Sequence, residues 1–233
     1  TNASSTVVRQ SSTIGLFQIN RGFIHSLNCN VLININDSTE NQFVPSYFVN
    51  VGGICGVNFG IIQNCETSGY ITVMLDQSQV GGLVGRNEGT IYHCRNRSYL
   101  MGNGDLGGIS GSNFAPGYIN DCHNYTQCAY HYDVNSRSVG GIVGYMYSGT
   151  VVNCVNNGAY VYCSPSSESR TLEPHMGQIV GQIDGGETSG NVCNGTLNTG
   201  TLHIVTWKPN WFETKSHNQA KYTSTGEFGL DNR

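Results

Sequence analysis

Residues 121–133 concentrate the groups best suited to holding a metal: Asp121, Cys122, His123, Cys128, His131 and Asp133. Neutral imidazole and thiolate are good zinc ligands, yet their spacing here matches no closed zinc site, and Cys122 has another place, argued below. Gly102-Asn-Gly-Asp-Leu-Gly107 matches the dinucleotide fingerprint as a string. That fingerprint works between a strand and a helix whose N-terminus receives the pyrophosphate, whereas this one runs straight into another glycine pair. Gly-X-Ser-X-Gly, His-Glu-X-X-His and phosphate-loop motifs are absent from the chain. Hydrolysing a sugar chain needs two carboxylates converging on one groove; Asp and Glu total 15, and Asp76, Asp105, Asp133 and Asp184 lie far apart in sequence. The chemistry-bearing residues therefore point away from catalysis and imply neither a cofactor nor a metal.

Two other residue classes could act at a surface. Tyr125, Tyr130 and Tyr132 lie in one segment, and Tyr145, Tyr147, Tyr160 and Tyr162 in the next. Exposed, Tyr145 and Tyr147 would form a binding face for sugar rings or a host surface protein; the alternative is ordinary strand packing. N-glycosylation sequons stand at Asn2, Asn36, Asn96, Asn124 and Asn194. With 26 Asn and 40 Ser plus Thr, chance alone produces about as many, so position decides. Asn36 opens a polar stretch that reads as an exposed loop; Asn36 and Asn194 are the first expected to carry glycans.

These groups must be positioned by a repeat. The phrase glycine-glycine-aliphatic-X-glycine returns at Gly52-Gly-Ile-Cys-Gly56, Gly81-Gly-Leu-Val-Gly85, Gly107-Gly-Ile-Ser-Gly111 and Gly140-Gly-Ile-Val-Gly144. It begins in altered form at Ile14-Gly15-Leu16 and fades at Gly177-Gln178-Ile179. Each phrase is followed by an aliphatic residue and a cysteine: Cys29, Cys65, Cys94, Cys122, Cys154 and Cys193. A unit recurring this way cannot bury its own apolar face, so it must stack on its neighbours. The segments between are short, rich in β-branched and aromatic residues and fenced by Gly or Asn, and they lack the helix formers of a helical repeat.

The expected fold is all-β, a parallel β-solenoid (right-handed β-helix-like) of about six rungs over residues 14–205. Residues 1–13 form an N-terminal tail or edge strand, and 206–233 a C-terminal cap or tail. Leu16, Ile54, Leu83, Ile109, Ile142 and Ile179 should stack as one interior spine at roughly 4.8 Å per rung. The six repeat cysteines should form an interior column. Asn28, Asn64, His93, Asp121 and Asn153 just before it, and Asn96, Asn124 and Asn156 just after it, should form hydrogen-bonded ladders. Cys128 and Cys163, outside the column, are the candidate disulfide.

The repeat resembles the GLUG motif family, named for its Gly-Leu-any-Gly core. Val80-Gly-Gly-Leu-Val-Gly-Arg-Asn-Glu-Gly-Thr-Ile-Tyr-His-Cys94 matches it best, and the resemblance covers residue 14 to about 197. Similar repeats occur in large surface and secreted proteins of bacteria and anaerobic protists. There they look like spacers, stalks or adhesive scaffolds. The family supplies no catalytic residues; the resemblance implies a location and a role.

Composition agrees. Charged residues are only 11%, the net charge is -4, and no basic footprint for nucleic acid appears. Apolar runs are too short for a membrane span. A start at Thr1 with no signal peptide reads as a processed chain or a fragment. Trp207, Trp211 and Phe212 are expected to cap the last rung, and the open ends and tails to support head-to-tail self-association. The expectation is an extracellular or cell-surface structural scaffold, stalk or filament subunit. A glycan-binding adhesin is the first alternative and a carbohydrate-active enzyme the second.

Overall fold

The computed structural model describes residues 13–36, 49–75, 77–126, 128–130, 138–158, 161–163 and 175–194. These contain no helix. Strands stack in six rungs, every strand pair parallel, and build four sheets running the length of the stack. The protein is a parallel β-solenoid.

One rung contributes one strand to each of three sheets and a longer passage to the fourth. In the first rung these are β1 (Thr13–Ile14), β2 (Phe17–Asn20), β3 (Phe23–His25) and β4 (Asn28–Asn36). In the second they are β5 (Val49–Gly52), β6 (Cys55–Asn58), β7 (Ile61–Gln63) and β8 (Glu66–Met74). Register is held without slippage: Ile62 stands opposite Ile91, Ile91 opposite Ile119 and Ile119 opposite Val151. A one-residue slip would move every inward side chain outside, so the apolar column pins the register.

The glycine phrase is the corner between the first and second sheets. A Cβ on its first glycine would overlap the carbonyl three residues on, as Gly52 would with Cys55. The second glycine lies flat against the fourth sheet: a Cβ at Gly53 would sit 3.0 Å from Thr67 Cγ2, and one at Gly82 would overlap Asn96 Cγ. The third lets the second sheet pack onto the first, since a Cβ at Gly56 would stand 2.7 Å from Thr13 Cβ. Each glycine thus removes a different clash.

The spine forms over five of its six expected members. Ile54, Leu83, Ile109, Ile142 and Ile179 are fully buried, and each amide reaches the carbonyl of the next, at 2.9 Å for Ile54 to Leu83 and 3.1 Å for Leu83 to Ile109. Leu16 is 56% exposed. The registers Ile14 opposite Val51 and Phe17 opposite Cys55 leave two residues in the first corner where the second has three, so Leu16 has no place in the column. Expectations for residues 1–12 and 195–233, including the Trp207, Trp211 and Phe212 cap and the Asn2 sequon, fall outside the described residues, as do Asp76, His131, Asp133, Tyr132 and Tyr160.

Candidate functional site

The cysteine column is shorter than expected. Cys65, Cys94, Cys122 and Cys154 are buried on successive rungs, each thiol donating to the carbonyl two residues before it, at 3.1, 3.2, 3.3 and 3.3 Å. Cys29 and Cys193 are not members: Cys29 stands opposite Thr67, and Cys193 opposite Asn156. Both are shifted two residues along the strand, where Leu27 and Asn191 take the column position, so chain spacing alone could not expose the offset. Cys29, Cys55, Cys65, Cys94, Cys122, Cys154 and Cys193 are free thiols. Burial and the flanking thiols push Cys122 well up. Cys94 is pulled down instead, by its contacts with the Cys122 and Cys65 side chains and by the Cys65 backbone N–H, which donates to its sulfur at 3.4 Å.

Cys128 stands opposite Val161, and Cys163 opposite Tyr130. That two-residue offset between neighbouring parallel strands puts their Cα atoms about 8 Å apart, beyond the roughly 7 Å a disulfide spans. The expected bridge does not fit this register.

Of the two expected polar ladders, one is continuous and the other keeps a single bond between its own members, His93 to Asp121. Asn96 Nδ2 donates to Asn124 Oδ1 at 2.9 Å and Asn124 Nδ2 to Asn156 Oδ1 at 3.0 Å, with Thr67 Oγ1 donating to Asn96 Oδ1 at 3.1 Å. These amides are buried, so the sequons at Asn96 and Asn124 lie inside the stack. The other set serves a different purpose: Asn64, His93, Asp121 and Asn153 have φ of 53°, 53°, 48° and 53° at the turn into the fourth sheet. Asn, Asp and His bear this left-handed geometry better than most side chains. Ser26, with φ 55°, holds that corner in the first rung, and Asn28 instead stands in β4 opposite Glu66.

A third column went unrecognised although its residues close the repeat phrase. Asn20 donates to Asn58 at 2.8 Å, Asn58 to Asn87 at 2.9 Å and Asn87 to Asn113 at 2.9 Å. Their Oδ1 atoms also accept backbone N–H groups two residues on, from Gly22, Gly60 and Gly89. The signal was the invariant offset between the glycine corner and Asn.

Tyr145 and Tyr147 meet in a stack. Tyr147 lies between Tyr145 and Phe114, with ring centroids 4.1 Å apart on each side and interplanar angles of 24° and 14°. Phe114 carries the Arg86 guanidinium on its other face at 4.1 Å, and Arg86 pairs with Glu88 at 2.6 Å. Tyr145 donates its hydroxyl to Asp184, and Gln182 donates to Tyr145 at 3.1 Å. Burial, then Asp184, raise the Tyr145 phenol above its usual range. Both faces of Tyr147 are taken, so the stack presents edges outward.

The metal-competent cluster divides. Cys122 points into the core, while Asp121 lies outside between two imidazoles, His93 Nδ1 at 2.6 Å and His123 Nε2 at 3.3 Å. Partial burial works to raise Asp121, but the two histidines outweigh it and hold the carboxyl below its usual range. Arg97 pairs with Glu66 at 3.1 Å and covers the Tyr125 ring at 4.5 Å. Among the described residues no group of three or more His, Cys, Asp or Glu is arranged to hold a metal. Asp105 is buried in the first sheet and accepts the Ser138 amide at 3.1 Å. Asp105 and Asp184 both act on Tyr145, and Gln182 joins Ser138, His175, Tyr145 and Asp184 in one polar group, while Asp121 and Glu66 serve separate contacts. Among the described residues no helix is long and apolar enough to cross a membrane. Comparison with family models, with curated proteins and with solved structures found no match.

Proposed function

We propose that the chain is an extracellular structural scaffold or stalk of the GLUG-like kind, without catalysis, glycosylated at its exposed sequons. One observation carries this reading: apart from the group around Gln182, polar side chains are spent between rungs rather than aimed at a common point. Two asparagine columns, a thiol column, an imidazole–carboxylate clasp and an aromatic stack all run along the axis. Such contacts stiffen a stack, and none gathers acid–base groups around a groove. Asn194, exposed on the last rung, is the described sequon best placed for a glycan.

Recognition is the second reading, and a different tyrosine favours it. Tyr70 is 61% exposed on the outer face of the fourth sheet, its ring 6.0 Å from Tyr99. A glycan array separates the two readings. A scaffold gives no retained glycan; retention lost in Tyr70→Ala but kept in the Tyr145→Ala/Tyr147→Ala double variant assigns a binding face on the fourth sheet.

The ends of the stack are unequal. Ile179 and Val180 in the last rung are fully buried, whereas Leu16, Phe17, Ile19 and Phe23 in the first are 45–56% exposed. Head-to-tail growth needs two open ends, so this asymmetry favours association through the first rung.

A further inference from the structure

We propose that two copies of the chain join head to head, their β4 strands pairing antiparallel about a two-fold axis through Leu32. Among the described residues β4 pairs on one side only, with β8, so its other edge carries unpaired backbone groups. Proteins commonly blunt such an edge with a charge, a proline or a short strand. β4 has none of these: its nine residues read Asn-Cys-Asn-Val-Leu-Ile-Asn-Ile-Asn.

That order is what selects a second copy as the occupant. Read from Leu32 in either direction, the residue classes are the same: apolar, Asn, apolar, Asn. An antiparallel pair centred on Leu32 sets Val31 against Ile33, Asn30 against Asn34, Cys29 against Ile35 and Asn28 against Asn36. Side chains alternate faces along a strand, and this register brings like faces together everywhere. Val31, Ile33 and Ile35 are half-buried on the inner side, while Asn28, Asn30, Leu32 and Asn34 are exposed. The pairing therefore continues the inner apolar wall from one stack into the other.

The outer face supports the same register. Leu32 is 75% exposed, the most exposed of the large apolar side chains, and heads a column whose next members are Tyr70 and Tyr99. Across the axis this column would meet its own copy, giving each Leu32 an apolar neighbour. Charge does not oppose the contact, because Arg21 is the sole Asp, Glu, Lys or Arg in residues 13–36. A contact using one patch on both chains closes on itself and stops at two. The inference goes beyond the scaffold reading, which a single-chain rod would leave intact.

The test is the mass of the full chain in solution, prepared without N-glycans because the Asn36 sequon ends β4. Light scattering should give two chains for the wild type, and Leu32→Arg should halve the mass with an unchanged circular dichroism spectrum. Leu32→Cys supplies a register-specific second measurement. Residues facing each other across an antiparallel pair are about 4.5–5.5 Å apart at Cα, within disulfide range, so diamide should link it into a covalent dimer. Wild type and Asn28→Cys should not link. A single-chain mass at about 100 μM, growth beyond two chains, or a dimer that ignores Leu32→Arg and stays unlinked through Leu32→Cys would each overturn the proposal.

Discussion

Asn156 donates its Nδ2 to Gln178 Oε1 at 3.0 Å, and this bond ends the buried amide column. Gln178 occupies the corner position that glycine holds in the four preceding phrases. In three of those rungs a Cβ would overlap an asparagine amide, as at Gly141 against Asn156. In the last rung no asparagine follows in register, since Cys193 stands opposite Asn156, and a glutamine can fold into the space as a terminal partner. The apparent decay of the repeat is a cap.

Breaking that column in the middle should be costly. Asn124→Ala removes the acceptor of Asn96 and the donor to Asn156, stranding buried polar groups on both sides. We expect a loss of about 2–4 kcal/mol in urea unfolding. A loss below about 0.5 kcal/mol would mean that the column contributes nothing net.

The glycines differ in what they tolerate. Gly82→Ala would drive a methyl into Asn96 and the Gly108 carbonyl, and should cost about 3 kcal/mol or more or prevent folding. Gly22→Ala meets nothing nearer than Asn20 Oδ1 at 4.0 Å and should shift stability by less than about 1 kcal/mol. Thermal melts of the two variants side by side check the contrast.

Thiol reactivity should follow register. Cys94, Cys122 and Cys154, fully buried, should react with an aromatic disulfide reagent only on unfolding, while Cys29 and Cys193, half-buried, react in the native protein. Peptide mapping after timed labelling reads this. Rapid labelling at Cys122 would show that the column is not dry.

Alkali should destabilise the stack. Burial pushes Cys55 up to about 12 and raises Cys122 well above its usual range, and Cys65 rises through its contact with Cys94 and through burial. Folded values above unfolded ones mean that the contribution is complete below about pH 8.5 and is lost as pH rises, by roughly 1.4 kcal/mol per pH unit for each thiol. The downward pull on Cys94 acts at lower pH and adds no slope in alkali, where the thiol is ionised in both states. Urea midpoints should fall between about pH 9 and 11; a midpoint that rises over the alkaline range would contradict this.

Glycan occupancy provides a fifth check. In folded protein secreted from a eukaryotic host, site-resolved mass spectrometry should find Asn96 and Asn124 bare, because a glycan on either amide would replace its ladder bond and its buried site. A glycan at Asn124 in a folded molecule would refute the ladder.

Much of this molecule was legible in the chain. The glycine phrase recurs because each glycine removes a steric clash that every rung repeats, so the solenoid, its parallel pairing, the Ile54–Ile179 spine and the Asn96–Asn156 column could be read by counting. Counting failed where the chain departs from its own period. Leu16 lies in a corner one residue short, and Cys29 and Cys193 sit two residues beyond the true column; only the hydrogen-bond ladders show which residue faces which. Tyr145 and Tyr147 were found as neighbours, but whether rings offer their faces or their edges depends on Phe114 and Arg86, residues from other rungs. Local order determines which side chains a rung owns; stacking contacts between rungs decide what those side chains meet.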